Sequence, residues 1–342
     1  VQAKELLTQS YHFELPQELI ATHPASPRES AKLLVYDRKT DTITHTLFSE
    51  FEKFIPKDVA LIFNDTKVIK ARIFGTKPSG GKIELLINRA LDAHTVHVYI
   101  RGKVKMGTRI DFAQDVQAEV VALHEDGTRN VVFYQHAKPL RFEELLAILD
   151  TIGHIPLPPY IQREDNQEDA REYQSVFATN EGAVAAPTAS LHFGEEQHKR
   201  ICENFAHAYI TLHVGSGTFK PVEADIITEH PMHSEYYAIS AHAKEIIQST
   251  RPLLCIGTTA TRTVEYFVRH PHAAHGEANL FLHPQNRPLR TNHILTNFHL
   301  PKSTLLMLVA SFVGLEKTLA LYEEAIKNRY RFYSYGDAML IL

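Results

Sequence analysis

The stretch KIELLINRALDAHTVHVYIR, Lys82 to Arg101, decides how this chain is built. Two runs rich in aliphatic and β-branched residues, KIELLINRAL and TVHVYIRG, follow each other closely, with no helical period between them. The pattern extends both ways. ALIFND and ARIFGTK come before it, and TRIDF, QAEVVALHE and NVVFYQ come after. Turn signals stand at PSGG (78–81), at Gly107 and at EDGT (125–128). Short strands in this succession, uninterrupted by helix, predict a small closed barrel or sandwich. The segment RFEELLAILD (141–150) then sets Phe142, Leu145, Leu146 and Leu149 at helical spacing.

On either side the style changes. The chain up to Asp65 holds two strands and one helix-like stretch, too little to stand alone. Beyond the proline-punctuated connector GHIPLPPYI (153–161), helices (EEQHKRICENFA, AHAKEIIQST, TRTVEYFVRH) alternate with strands (AYITLHV, EYYAIS, PLLCIGTT). That alternation predicts an α/β layer with parallel or mixed pairing. The expected architecture is a mixed α/β main domain, residues 1–65 plus 151–342, interrupted by an inserted small all-β barrel domain, residues 66–150.

With 342 residues, 44% of them hydrophobic, the chain can bury a core of two-domain size. Its longest apolar run, LLMLVASFVG (305–314), falls far short of the ~20 residues of a membrane span, and the first residues lack the pattern of a signal peptide. Cys202 and Cys255 read as reduced core residues. A cytoplasmic protein without a membrane partner is therefore expected. The three histidines of HPHAAH (270–275) match no zinc-site spacing, so no metal is expected. Net charge is −4, yet between Lys67 and Arg109 ten basic residues face only two acids, Glu84 and Asp92. Such an excess suits a polyanion or a solvated lysine face.

Five polar clusters fall at strand ends or loops of the α/β part. FNDTKVIKAR (63–72) contributes Asn64, Asp65 and Thr66, and AAPTASLHF (185–193) contributes Thr188, Ser190 and His192. TLHVGSGTFKPV (211–222) carries His213, Gly215, Gly217 and Thr218; Lys220 stands where a dinucleotide loop needs its third glycine, and Pro221 blocks an immediate helix. HPMHSEYY (230–237) sets His233 and Glu235 two apart, on one face of a strand, a pair suited to moving protons. In GTTATRTVE (257–265) a strand ends at Gly257, Thr258 or Thr259 would cap a helix able to hold an anion, and Arg262 and Glu265 would be neighbours on it. With it goes TNFHLPKSTLLML (296–308), where Asn297 and His299 precede a helix. Each cluster also has an ordinary reading as a turn, a cap or a core residue.

Taken in order, the segments FELPQELIATHPASPRES (13–30), FNDTKVIKARIFG (63–75), GGKIELLI (80–87), GHIPLPPYI (153–161), AVAAPTASLHF (183–193), TLHVGSGTFKPV (211–222), MHSEYY (232–237), GTTATRTVE (257–265), TNFHLPKSTLLMLVASFVG (296–314) and YRFYSYGDAMLIL (330–342) span nearly the whole chain. Together they resemble the S-adenosylmethionine:tRNA ribosyltransferase-isomerase family of queuosine biosynthesis, the QueA family. The resemblance implies transfer and isomerisation of the ribosyl moiety of S-adenosylmethionine onto the aminomethyl group of prequeuosine, a 7-deazaguanine at the tRNA wobble position. Epoxyqueuosine forms, and adenine and methionine leave. It also implies an α/β domain interrupted by a β-barrel, a tRNA anticodon arm as partner, and S-adenosylmethionine as a substrate, with neither a metal nor an obligate protein partner. Two departures stand out. Ser190 occupies a position where the family usually has glycine, and the 266–295 region reads as altered, with HPQN (283–286) in place of a Pro-Gly turn.

For that chemistry His233 and Glu235, with His192 or His299, are the candidates for proton transfer, and Asp65 for positioning. Gly215, Gly217, Thr218, Gly257, Thr258, Thr259, Arg262 and Thr188 are the candidates for the S-adenosylmethionine pocket, Arg262 through the methionine carboxylate. Arg72, Lys67, Lys70, Lys103, Lys105 and Asn297 are the candidates for the tRNA substrate. Two other readings are an S-adenosylmethionine-dependent RNA methyltransferase, which would leave S-adenosylhomocysteine, and an RNA-binding module without catalysis.

Overall fold

The computed structural model describes residues 3–215, 217 and 221–342. In chain order the strands before the insertion are β1 (Lys32–Asp37), β2 (Thr42–Leu47), β3 (Ala60–Asn64) and β4 (Thr66–Val68). Up to Asp65 the described residues thus hold three strands where two were expected, and their helical stretches are short 3-10 helices, of which Phe48–Phe54 is the longest. The insertion supplies β5 (Arg72–Thr76), β6 (Lys82–Ala90), β7 (Thr95–Arg101), β8 (Arg109–Asp111), β9 (Val116–Leu123), β10 (Thr128–Gln135) and the short β11 (Lys138–Pro139), then α1 (Phe142–Ile152). There follow α2 (Asp169–Glu172), β12 (Asn180–Ala183), α3 (Glu195–Asn204), β13 (Ala206–Leu212), β14 (Glu235–Ile239), α4 (Ala241–Gln248) and β15 (Leu253–Ile256). The chain continues with α5 (Thr258–Arg269), β16 (His275–Ala278), β17 (Thr291–Asn297), α6 (Thr304–Val313), α7 (Leu315–Lys327) and β18 (Ala338–Ile341).

Nine strands form the main sheet in the order β16-β14-β13-β3-β15-β17-β18-β1-β2. Its centre, β13, β3, β15 and β17, is parallel, while β14 and β18 run antiparallel to their inner neighbours. Both faces of β3 are covered, which is why its sequence is apolar throughout. Leu61 and Phe63 pack with Phe48, Phe51 and Ile201 on one side, and Ala60 and Ile62 with Ile210, Ile247 and Val264 on the other. The amphipathic α3 covers the first face; α4 and α5 cover the second.

The alternation along the insertion produces a barrel. β5 to β10 pair antiparallel around a circuit that closes between β9 and β10, from Arg129↔Leu123 to Gln135↔Val116. Every second residue of β6, Ile83, Leu85 and Ile87, points inward to Val96, Val98, Val131 and Phe133. Closure removes the exposed edges an open sheet would present. Ile69, Ala71, Val184 and the α1 residues Leu145 and Leu149 join the same core, so α1 stops one end of the barrel. The mixed α/β domain with an inserted barrel is thus present as expected.

Candidate functional site

The four central parallel strands end on one side of the sheet, and polar residues follow each of them. Neighbours on both sides of β3, namely β13 and β15, leave the sheet there, the kind of place where open α/β sheets bind ligands. Asn64 ends β3 and ties these ends together. Its Oδ1 accepts the Leu212 N–H at 3.0 Å, and its Nδ2 donates to the Leu212 carbonyl and the Thr259 Oγ1, both at 3.1 Å.

Two clefts open beside this knot. The first is lined by Thr188, Gly257, Thr258, Thr259, Thr296, His299 and Ser303 with Tyr160, Leu300 and Tyr333. Gly257 turns β15 into α5 at φ +92°, ψ 161°, a backbone that side chains disfavour. It occupies the N-cap position without any side-chain cap, so Thr258 and Thr259 lie inside the first turn and do not cap it. The orphan N–H groups of that turn border the cleft. His299 is buried and bonded through Nε2 to the Thr296 hydroxyl at 2.7 Å. Burial pushes its pKa down to about 3, so it is neutral near pH 7.

The second cleft, about 220 Å3, lies between barrel and main sheet. It is lined by Asn88, Arg89 and Phe142 on one side and Glu181, His213, Gly215, Glu235, Tyr236 and Glu277 on the other. Arg89 crosses it to Glu277 at 2.8 Å. His213 pairs through Nδ1 with the Thr66 hydroxyl at 2.8 Å and stacks on Tyr236, with centroids 5.6 Å apart and planes 21° apart. Burial lowers its pKa. The clefts share a wall: Val214 and Ala185 line the first, while His213 and Gly215 line the second.

Glu235 is buried at the base of the second cleft. Arg262 NH1 donates to its Oε2 at 2.6 Å, the Gly215 N–H donates to Oε1 at 2.9 Å, and His233 Nε2 stands 3.5 Å from Oε1. Burial works against the anion, but Arg262, His233 and the Gly215 N–H outweigh it and hold the pKa at about 2. The carboxylate therefore stays charged near neutrality and anchors His233 without itself exchanging a proton. Gly217 packs on His233: a Cβ there would fall 2.9 Å from His233 Cγ. Its close approach is to this ring.

The expected S-adenosylmethionine set thus divides. Thr188, Gly257, Thr258 and Thr259 meet in the first cleft, together with His299; Gly215 lies in the second, and Thr218 is outside the described residues. Arg262 does not pair with Glu265 but with Glu235, and its Nε and NH2 are buried without hydrogen-bond partners among the described residues. Glu265 instead holds Arg269 and the N–H groups of Leu289, Arg290 and Thr291, which orders the altered loop. His192 lines neither cleft. It is buried against Phe48, and burial pushes its pKa down to about 4. Asp65 accepts the Thr211 hydroxyl at 2.7 Å through Oδ1, and its carbonyl takes the Thr179 and Asn180 N–H groups, a joint between β3 and β13. Ser190 has no positive φ, so its place in the 3-10 helix Thr188–His192 does not require glycine.

Most of the side chains expected to meet tRNA are occupied. Arg72 reaches Glu84 at 3.2 Å and the Leu157 carbonyl at 3.2 Å, Lys67 pairs with Glu181 at 2.7 Å, and Lys70 donates to the Asp150 carbonyl at 2.6 Å. Asn297 is buried and donates to the Tyr333 carbonyl at 3.0 Å, which takes it away from any RNA. Lys103 and Lys105 are exposed at one end of the barrel, beside Lys77 and Arg109.

Residues 8–341 match the family model described as queuosine biosynthesis protein. The chain belongs to that family. It is 69% identical over 340 residues, 99% of each chain, to the S-adenosylmethionine:tRNA ribosyltransferase-isomerase of Sulfurimonas denitrificans. It is 60% identical over 337 residues to the protein of that name from Nitratiruptor, covering 98% of this chain and 99% of that one. A crystal structure of S-adenosylmethionine tRNA ribosyltransferase from Thermotoga maritima is similar over 97% of this chain and 100% of that one, at 31% identity and a TM-score of 0.54. Within this family frame, residues that sequence reasoning passed over stand out: Asn88, Tyr160, Tyr236 and Tyr333 line the clefts. Tyr160, Tyr236 and Tyr333 lie in the segments GHIPLPPYI, MHSEYY and YRFYSYGDAMLIL, and Tyr236 takes the outward position in the strand EYYAI. No helix among the described residues is long and apolar enough by itself to cross a membrane.

Proposed function

We infer that the chain is an S-adenosylmethionine:tRNA ribosyltransferase-isomerase of queuosine biosynthesis, acting on prequeuosine at the wobble position of tRNA. The observation that carries this is the 69% identity with a protein of that name along essentially the whole chain. The two clefts, meeting at Val214, support it by giving adjoining places to two substrates.

The chemistry starts at the C5′ protons beside the sulfonium, whose positive charge acidifies them; removing one gives an ylide. Adenine then leaves with a proton, and the incoming amine gives up protons. His233 is the proposed exchanger: it lines neither cleft, and its Nε2 is buried 3.5 Å from Oε1 of the ionised Glu235, whose charge Arg262 neutralises. His299 is neutral on the wall of the first cleft and positions a ligand there through its pairing with Thr296. The first cleft suits S-adenosylmethionine: the first turn of α5 favours its carboxylate and the Tyr160 and Tyr333 wall its adenine. Barrel residues 66–150, through Lys103 and Lys105, receive the anticodon arm, and residues 1–65 plus 151–342 perform catalysis in the cytoplasm.

Incubation with prequeuosine-tRNA and S-adenosylmethionine should release free adenine and methionine. Formation of S-adenosylhomocysteine instead would show a methyltransferase, and no turnover at all would revive a binding module.

A further inference from the structure

We propose that the cleft between β6 and β14 seats the target nucleobase, drawn out of its stack and laid on the Tyr236 and His213 rings with its aminomethyl arm toward Glu235. This rests on the tRNA reading above and adds to it the site of the base and the residues that select it.

Position argues first. Of the two clefts, this one has the barrel as a wall, and it shares the Val214 partition with the cleft suited to the ribosyl donor. An enzyme acting on a base within folded RNA must bring that base out to its reactive groups. Here it would arrive from the barrel side and stop beside His213, Tyr236 and Glu235.

Shape and charge agree. Tyr236 belongs to an interior strand yet is 43% exposed, its ring nearly parallel to the half-buried His213. An aromatic face left open within a polar cleft suits another flat ring. The carboxylates Glu181, Glu235 and Glu277 border the same space, each paired with one cation, Lys67, Arg262 or Arg89, which fixes its position and leaves its remaining lone pairs as acceptors for the N–H groups of an amine. Arg89 and Glu277 also link β6 to β16 across the cleft, which sets its width.

The test is steady-state adenine release, varying prequeuosine-tRNA and S-adenosylmethionine separately. Tyr236→Ala should raise KM for tRNA roughly five- to a hundredfold, the range that loss of one stacked base gives. KM for S-adenosylmethionine should stay within about twofold, because the donor lies beyond Val214. Tyr236→Phe keeps the aromatic face and should restore the low KM for tRNA. An unchanged KM for tRNA in Tyr236→Ala overturns the proposal, and so does a rise confined to S-adenosylmethionine, which would make this the donor's cleft. Absence of adenine release from the unmutated protein would instead overturn the reading on which the proposal rests.

Discussion

Glu235 accepts from Arg262 NH1 and the Gly215 N–H, with His233 Nε2 3.5 Å away, and its charge is the residue-scale feature on which the site turns. Removing it with Glu235→Gln leaves Arg262 buried beside a neutral amide. A broken buried pair costs about 3–5 kcal/mol, so unfolding by urea should shift by that order and adenine release should fall as His233 loses its anchor. His233→Ala leaves that ion pair intact. It should lower kcat by about 10²–10⁴ with little change in stability, and retained activity would remove His233 from the mechanism. Acid sensitivity follows the same residues. His299 and His192 have folded pKa values of about 3 and about 4 against 6.5 unfolded, so the unfolded chain binds more protons below pH 6.5 and stability declines there. Glu235, held at about 2 against 4.5, contributes fully above about pH 4.5, and that contribution fades toward pH 2. Unfolding followed from pH 8 to 2 should show both windows, the second one flattened in Glu235→Gln.

At the scale of elements, α5 depends on a backbone that only glycine adopts without strain. A Cβ at Gly257 would have room, its nearest neighbour being the Ala189 Cβ at 3.5 Å, so Gly257→Ala tests the positive φ and little else. The expected cost is about 1–3 kcal/mol, read by denaturant unfolding, together with a raised KM for S-adenosylmethionine as the first turn of α5 shifts. This element also shows what a sequence leaves open. The helix and its strand were legible from an apolar run followed by GTTATRTVE. The partner of Arg262 was not, because helical spacing offers Glu265 while β14, distant in sequence, supplies Glu235. The same holds for Asn64, which reads locally as a turn residue but joins three elements.

For the whole molecule, the proposed function gives the RNA to the inserted barrel and the donor to the nine-stranded sheet. Charge reversal at Lys103 and Lys105 should therefore weaken tRNA binding at every sequence and reduce the slope of log affinity against log salt by about one for each phosphate no longer neutralised. Donor affinity, measured by calorimetry, should not move. Unchanged tRNA binding would remove the barrel's basic end from the interface.

Strand alternation, turn residues and the switch of period after residue 150 are local properties, because side-chain direction follows the backbone repeat. From them the sequence by itself determined the strands of the insertion, the alternation of α3, β13, β14, α4, β15 and α5, and an insertion of barrel or sandwich type, and the order of its motifs determined the family; α2, α7, β12, β16 and β18 were not read from it. Closure of the barrel between β9 and β10, the placing of β18 between β17 and β1, and the separation of two clefts by Val214 came only with the tertiary structure. Those features depend on which distant segments pair and on which buried charges find partners. Such choices are settled by packing the whole chain at once.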